Sequence, residues 1–288
     1  MRTLLIGAAG QLGTALAPLL TGDVCAPCRN ELDLANPPMV NQFLSDLQPG
    51  LVINAAAYNF VDHAEEEPER AFAINALGPR QLAIACRRLG AVLVQVSTDH
   101  VFGLDPSRTE PYQETDAPGP VSAYGVSKLA AEHFVRAICP SHFIVRTCGL
   151  YGTSRTAGKG NFVDAILRKG REQKEVAVVA DQRCTPTSAA DLAQALVRLV
   201  ATGRYGLYHA TNAGHASWAE FAQAIFRMAK IDARAKPITT LQYGAKAARP
   251  RFSVLDCAKL SGALSAPLPH WEESLANYLA ARGKHAAQ

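Results

Sequence analysis

Tyr124 and Lys128 stand four residues apart in Tyr124-Gly125-Val126-Ser127-Lys128, a spacing that puts both side chains on one face of a helix. A free phenol has a pKa of about 10, so by itself it is a poor acid or base at neutral pH. A nearby cation favours its ionised form, and Lys128 supplies that cation. Upstream, Ser97-Thr98-Asp99 closes an apolar run and sets hydroxyl and carboxyl groups side by side. These residue types suit protonation of a ketone oxygen as hydride arrives at its carbon. Tyr124 would donate the proton, Thr98 would hydrogen-bond the growing alkoxide, and Lys128 would assist while holding a nicotinamide ribose. A solvated helix face produces the same Tyr/Lys spacing, and a turn cap produces the same Ser-Thr-Asp triplet. The assignment therefore needs a hydride donor and a scaffold.

A site for such a donor begins at the first apolar run. Gly7-Ala8-Ala9-Gly10-Gln11-Leu12-Gly13 places glycines at positions one, four and seven, just before a helical pattern. A tight turn, close approach of backbone to a pyrophosphate and free N–H groups at a helix start are the mechanics of dinucleotide binding. A merely flexible turn would also carry glycines, but its place between an apolar strand and an apolar-faced helix favours the dinucleotide. Past the second strand, Cys28-Arg29-Asn30-Glu31-Leu32-Asp33-Leu34 has no acid at the strand's end to grip a ribose 2′-hydroxyl. NADP is thereby permitted, and the Arg29 guanidinium matches a 2′-phosphate, an exposed loop arginine being the alternative. Asp33, with Leu34 beside it, falls on the adenine side. After the third strand, Ala55, Ala56 and Ala57 are small enough to let backbone lie against the cofactor, although a tightly packed junction would use them too.

The elements that must hold these residues follow from periodicity. Short apolar runs alternate with longer one-sided helical patterns, the signature of βαβ units and a parallel sheet. The pattern predicts strands at 3–7, 23–26, 51–55, 91–96 and 142–147, and helices at 11–20, 38–47, 69–89 and 123–138. The strand interiors are nearly all apolar, as burial on both faces requires. Later come helices at 162–169, 189–201 and 218–229 and strands at 175–180 and 206–209. The expected fold is α/β, a Rossmann-type doubly wound parallel sheet with a smaller carboxy-terminal substrate-binding lobe. Residues 1–150 are read as the NAD(P)-binding domain, with 188–210 returning to it, and 151–288 as mainly the lobe. Connectors at 103–120, 152–160 and 245–250 are long enough to act over a cleft. Trp218 and Trp271 are read as lobe core.

Composition excludes several classes. With 48% hydrophobic and 19% charged residues over 288 positions, the chain can bury a sizeable core and is no disordered or fibrous protein. The net charge of +4 is scattered, so no nucleic-acid groove is read, though weak positive charge favours an anionic substrate. No apolar run reaches the roughly 18 residues of a membrane span, and the start passes straight into a strand, so the expected address is the cytoplasm. The 7 cysteines are odd in number and dispersed, which predicts reduced thiols. Cys25 and Cys28 have redox-motif spacing but are read as ordinary core or loop residues.

The glycine turn, the Ser-Thr-Asp strand end and the Tyr/Lys helix, in this order, resemble the extended short-chain dehydrogenase/reductase family. Within it the chain is similar to the branch that reduces the 4-keto group of dTDP-4-dehydro-L-rhamnose with NADPH or NADH. The resemblance runs nearly end to end, through 54–65 (NAAAYNFVDHAE), 97–102 (STDHVF), 113–116 (QETD) and 124–132 (YGVSKLAAE). It continues in Asp181-Gln182, Thr185-Pro186-Thr187, Gly206-Leu207-Tyr208-His209, Arg249-Pro250 and Ser253-Val254-Leu255. It implies a catalytic triad of Thr98, Tyr124 and Lys128. It implies that Gly10 to Leu12, Asp33 and Ala57 to Asn59 touch the cofactor, and that Asp99, with Gln182 at the cleft rim, meets a nucleotide-sugar substrate.

The chain departs from the family pattern at three places. Gly149 in Arg146-Thr147-Cys148-Gly149 replaces the tryptophan often found there, which opens the question of the sugar. Ala15 and Ala190 stand where some members hold magnesium through glutamates, and neither can ligate a hard cation, so no metal is expected. Arg183-Cys184 after Gln182 alters the cleft rim. Two other functions stay open: a nucleotide-sugar epimerase or dehydratase using the same Tyr/Lys chemistry, and a non-catalytic dinucleotide-binding regulatory subunit. A homodimer is compatible with the sequence.

Overall fold

The computed structural model describes residues 1–154 and 160–285. Its first part alternates strand and helix: β1 (Thr3–Ile6), α1 (Gln11–Leu16), β2 (Val24–Cys25), α2 (Pro37–Leu47), β3 (Leu51–Asn54), α3 (Val61–Glu66) and α4 (Pro68–Phe72). There follow α5 (Gly78–Leu89), β4 (Val92–Thr98), α6 (Ala123–Ile138), β5 (His142–Thr147) and β6 (Leu150–Tyr151). The remainder contains α7 (Phe162–Glu172), β7 (Glu175–Val179), β8 (Arg183–Cys184), β9 (Thr187–Ser188), α8 (Ala189–Ala201) and β10 (Gly206–His209). It ends with β11 (Ala216–Ser217), α9 (Trp218–Met228), β12 (Arg234–Ile238), α10 (Thr240–Tyr243), α11 (Ala258–Leu264) and α12 (Trp271–His285).

Six strands form one sheet in the order β10-β5-β4-β3-β1-β2, with every pair parallel. Side chains of neighbouring strand residues point to opposite faces, so β1 divides its leucines between two cores. Leu5 packs with Leu12, Leu16, Phe143 and Leu196 on one face, while Leu4 and Ile6 pack with Leu44, Leu82 and Leu93 on the other. This double burial is why the strands read as continuous apolar runs. The chain passes from β1 outward to β2 and then back to β3 on the other side. The crevice at the carboxyl ends of β1 and β3 is the switch point where ligands bind in such sheets.

The predicted helix at 69–89 is interrupted by a π-helical turn over Ala73–Leu77 between α4 and α5. The predicted strand at 23–26 shrinks to two residues. The predicted connector at 152–160 lies partly outside the described residues. Strand β10 joins the parallel sheet, pairing with β5 from Gly206↔Phe143 to His209↔Arg146, and helix α8 packs against α1. The smaller lobe is built around Phe221, Phe226, Tyr151 and Trp271, with Trp218 packed at its margin. Strands β7 and β12 pair in parallel beside it. Helix α9 starts at a full capping box: the Ser217 hydroxyl accepts from Glu220 N, and the Glu220 carboxylate accepts from Ser217 N.

Candidate active site and dinucleotide cleft

A cleft of about 660 Å3 opens at the β1/β3 switch point. Its walls include Gly7, Gly10, Gln11, Leu12, Arg29, Asp33, Leu34, Ala55, Ala56, Ala57 and Asn59. Gly7 has φ +83°, and a Cβ on it would lie 2.7 Å from Ala56 N, so a side chain there would fill the turn. Gly13 does not line the cleft. Its part is the packing of α1 under the turn, since a Cβ there would lie 2.2 Å from Gly7 O and 2.5 Å from Ala8 Cα. The Gln11 Oε1 atom is buried without a hydrogen-bond partner, an unused acceptor at the start of α1. A cradle of backbone, a glycine turn at a helix start and a cleft at the switch point fit a dinucleotide. Arg29 stands 3.8 Å from Asp33, exposed at the mouth, where the guanidinium is free to meet an anionic group.

The catalytic candidates converge on the end of β4. Ser122 caps α6 by accepting from Gly125 N at 3.2 Å, which sets the helix start one residue before Tyr124. One turn on, the Lys128 ammonium donates to the Val96 carbonyl at 2.7 Å, and Val96 itself lines the cleft. The Tyr124 hydroxyl lies beside Thr98, which acts to lower its pKa. The Thr98 hydroxyl donates to Asp99 Oδ1 at 3.1 Å and accepts from His100 N at 3.2 Å. The His100 ring meets the Tyr124 ring edge-on at 5.5 Å between centroids.

Burial sets the protonation states. It pushes the Tyr124 phenol up to about 12, against the Thr98 hydrogen bond and with the Asp99 charge. It pulls the Lys128 ammonium down to about 8, against the attraction of Glu132. From the spacing alone, Lys128 is expected to ease ionisation of the phenol. In the structure Lys128 is tied to Val96, and desolvation dominates at Tyr124. A protonated phenol is what a proton donor needs at neutral pH.

Behind this pair lies a buried charge network. Glu132 accepts from Ser97 Oγ at 2.5 Å, from Arg146 Nε at 2.9 Å and from Arg146 Nη2 at 2.7 Å. The Arg146 guanidinium also faces the Phe102 ring at 5.0 Å and donates to His209 Nε2 at 3.3 Å. With Nε2 accepting, His209 Nδ1 carries the proton and donates to Tyr112 O at 2.9 Å. Every member is partnered, which a buried charge requires.

Asp99 is buried and turned toward protein donors: Thr98, Cys148 at 2.9 Å and Ser253 at 2.6 Å. Gln182 stands outside the dinucleotide cleft, its amide donated to Thr240 Oγ1 at 3.0 Å. Gly149 adopts φ +51°, and a Cβ there would meet Thr185 O at 3.0 Å, so this backbone disfavours any side chain. Ala15 and Ala190 lie on the adjacent helices α1 and α8, and neither carries a ligating atom.

Sequence reasoning missed Asn75. Placed by the π-turn, its amide holds both Tyr58 N, at 2.8 Å, and Tyr58 O, at 2.9 Å, and donates to Ser127 Oγ at 3.0 Å. It thus joins a wall of the cleft to the catalytic helix, and π-turns are often found at functional sites. The polar Asn75 inside the apolar run 71–79 was the available signal.

The parallel sheet, its switch-point cleft and the Tyr/Lys helix beside it define an NAD(P)-dependent oxidoreductase of the short-chain dehydrogenase/reductase type. A family model described as RmlD substrate binding domain matches residues 1–283, and the chain belongs to that family. It is 43% identical over 284 residues to a dTDP-4-dehydrorhamnose reductase of Streptomyces griseus, covering 95% of this chain and 91% of that protein. A solved dTDP-4-dehydrorhamnose reductase from Clostridium acetobutylicum superposes with a TM-score of 0.92 at 39% identity, covering 98% of this chain and all 100% of that one. Another, from Bacillus anthracis in complex with NADP, gives a TM-score of 0.92 at 40% identity, covering 97% and 99% of the two chains. Among the described residues no helix is long and apolar enough to cross a membrane.

Proposed function

We propose that this chain reduces the 4-keto group of dTDP-4-dehydro-L-rhamnose to dTDP-L-rhamnose with NADPH, and accepts NADH. The observation that carries the residue assignment is the Lys128–Val96 hydrogen bond. It fixes the Tyr/Lys helix to a strand that both lines the dinucleotide cleft and ends in Thr98. Residues 1–150, with 188–210, form the dinucleotide-binding part, and the rest of 151–288 mainly the substrate lobe. The cytoplasm, where dinucleotides and nucleotide sugars are made, is the proposed place of work.

When bound, NADPH supplies hydride to the ketone carbon. Gly7, Gly10, Gln11 and Leu12 would hold its pyrophosphate, Arg29 the 2′-phosphate, and Asp33 and Leu34 the adenosine side. Ala55 to Ala57 and Asn59 form the opposite wall, and Lys128 reaches the nicotinamide ribose. Thr98 hydrogen-bonds the ketone oxygen. As that oxygen becomes an alkoxide, the Tyr124 hydroxyl gives it a proton, and the phenolate recovers one from water. The Lys128 charge stabilises the phenolate in the interval. Asp99 and Gln182 are assigned to the sugar side, and no magnesium takes part.

Tyr124→Phe tests the assignment. It removes the proton and keeps the ring, so kcat should fall by roughly 100-fold or more with NADPH affinity retained. Unchanged turnover would remove Tyr124 from the reaction.

A further inference from the structure

The buried Asp99 carboxylate receives donors on both oxygens. Ser253 Oγ donates to Oδ2 at 2.6 Å, and the Cys148 thiol donates to the same oxygen at 2.9 Å. The Thr98 hydroxyl donates to Oδ1 at 3.1 Å. These donors come from three parts of the chain. Thr98 ends β4 and Cys148 directly follows β5. Ser253 lies on an extended segment of the lobe, where its N–H donates to Arg183 O at 2.9 Å. Cys148 and Ser253 are both buried, and burial, contact with Cys184 and the Asp99 charge keep the Cys148 thiol protonated. It is therefore a donor throughout the neutral range.

We propose that Cys148 and Ser253 form a two-donor clamp on Asp99 Oδ2, which leaves Oδ1 aimed at Thr98 and makes all three positioning residues for the ketone-binding hydroxyl. The proposal rests on the assignment of Thr98 as the group that hydrogen-bonds the ketone oxygen. Thr98 has one proton to give. Before substrate arrives that proton is directed at Asp99 Oδ1, while the Thr98 oxygen accepts from His100 N and lies beside the Tyr124 hydroxyl. The hydroxyl is thus pinned in direction. For Thr98 to turn its proton to a ketone, Asp99 must give it up, and a buried carboxylate stripped of donors is costly. The clamp lowers that cost, because Oδ2 stays doubly paired when Thr98 turns away. Without the clamp, Asp99 either swings or keeps the hydrogen bond from Thr98, and in both cases the hydroxyl is misdirected in the transition state. A serine hydroxyl at 148 would offer Asp99 a donor of the same kind as the sulfhydryl.

The test compares Cys148→Ala, Cys148→Ser, Ser253→Ala and Cys148→Ala/Ser253→Ala, with Thr98→Val as the reference, in the NADPH-dependent reduction of dTDP-4-dehydro-L-rhamnose. The double variant should lower kcat by about 10- to 100-fold, approaching the loss in Thr98→Val. KM for the keto sugar and Kd for NADPH should move less than about threefold. Cys148→Ser should restore most of the activity that Cys148→Ala loses. The clamp is overturned by wild-type kcat in the folded double variant alongside an impaired Thr98→Val. It is also overturned by equal losses in Cys148→Ser and Cys148→Ala, or by losses confined to KM or NADPH binding. Should the double variant not fold, the Ala-against-Ser comparison at Cys148 decides. Wild-type kcat in Thr98→Val would instead remove the Thr98 assignment, and the clamp with it.

Discussion

The Lys128 ammonium is bound to the Val96 carbonyl at 2.7 Å, two residues before Thr98 on the same strand. One hydrogen bond therefore sets α6, with Tyr124 and Lys128, against the strand end that carries Thr98. It also holds the ammonium in a buried place, where its pKa falls to about 8.

The pH dependence of catalysis follows from that burial. Lys128 is charged below about pH 8 and loses its charge above it, whereas Tyr124, at about 12, stays protonated throughout. The profile of kcat/KM should be level near pH 7 and fall above about pH 8. Lys128→Arg keeps its charge at every pH, so it should show a lower but level profile up to about pH 10. A wild-type profile level through pH 10 would show that the Lys128 charge is not required.

At the glycine turn, steric space decides. A Cβ on Gly13 would lie 2.2 Å from Gly7 O, and backbone oxygen cannot move aside without moving the turn. Gly13→Ala should destabilise the protein by about 1–3 kcal/mol through overpacking and weaken NADPH binding at least tenfold. A Cβ on Gly262, in α11, would meet nothing within 4 Å, so Gly262→Ala should leave binding unchanged. Fluorescence titration with NADPH and thermal melting together check both variants.

Arg29 is exposed and paired only loosely, at 3.8 Å, with Asp33. Its removal should cost little stability. If it meets the 2′-phosphate, Arg29→Ala should raise KM for NADPH by about tenfold and leave KM for NADH nearly unchanged. Equal effects on both cofactors would move the phosphate contact elsewhere.

His209 couples the buried network to acid stability. Burial and the Arg146 charge hold its pKa down to about 3, against its hydrogen bond to Tyr112 O and the Asp256 charge. The unfolded chain binds this proton below about pH 6.5, while the folded protein refuses it until about pH 3. Its neutral imidazole therefore favours folding fully above pH 6.5, and that contribution is lost as pH falls toward 3. The slope approaches about 1.4 kcal/mol per pH unit in the middle of the window. His209→Gln should be less stable at pH 7 but lose stability less steeply between pH 6 and 4 in urea melts.

Much of this organisation is written in local sequence. Helix α6 spans Ala123–Ile138 as its periodicity predicts, because Ser122 supplies an N-cap and Cys139-Pro140 stops it. Strand β5 likewise spans His142–Thr147, since a run buried on both faces has an unambiguous pattern. Strand β12 escaped notice because Arg234–Ile238 is largely exposed and contains Pro237, so it shows no buried alternation. Helix α3 is short and mostly polar, with Asp62 tied to Arg249 across the fold. Thr98, Tyr124 and Lys128 stand out by type and spacing as candidates, and the structure brings them together at the end of β4. The Cys148 and Ser253 contacts to Asp99 were not legible, being separated from it by 49 and 154 residues with no local pattern to join them.

The most direct test of the central claim is to supply the purified protein with dTDP-4-dehydro-L-rhamnose and NADPH and to follow NADPH absorbance while identifying the product. Stoichiometric oxidation of NADPH with formation of dTDP-L-rhamnose is the expected result. No oxidation despite intact NADPH binding would contradict the assigned reaction, and a new sugar formed without net NADPH consumption would make the chain an epimerase.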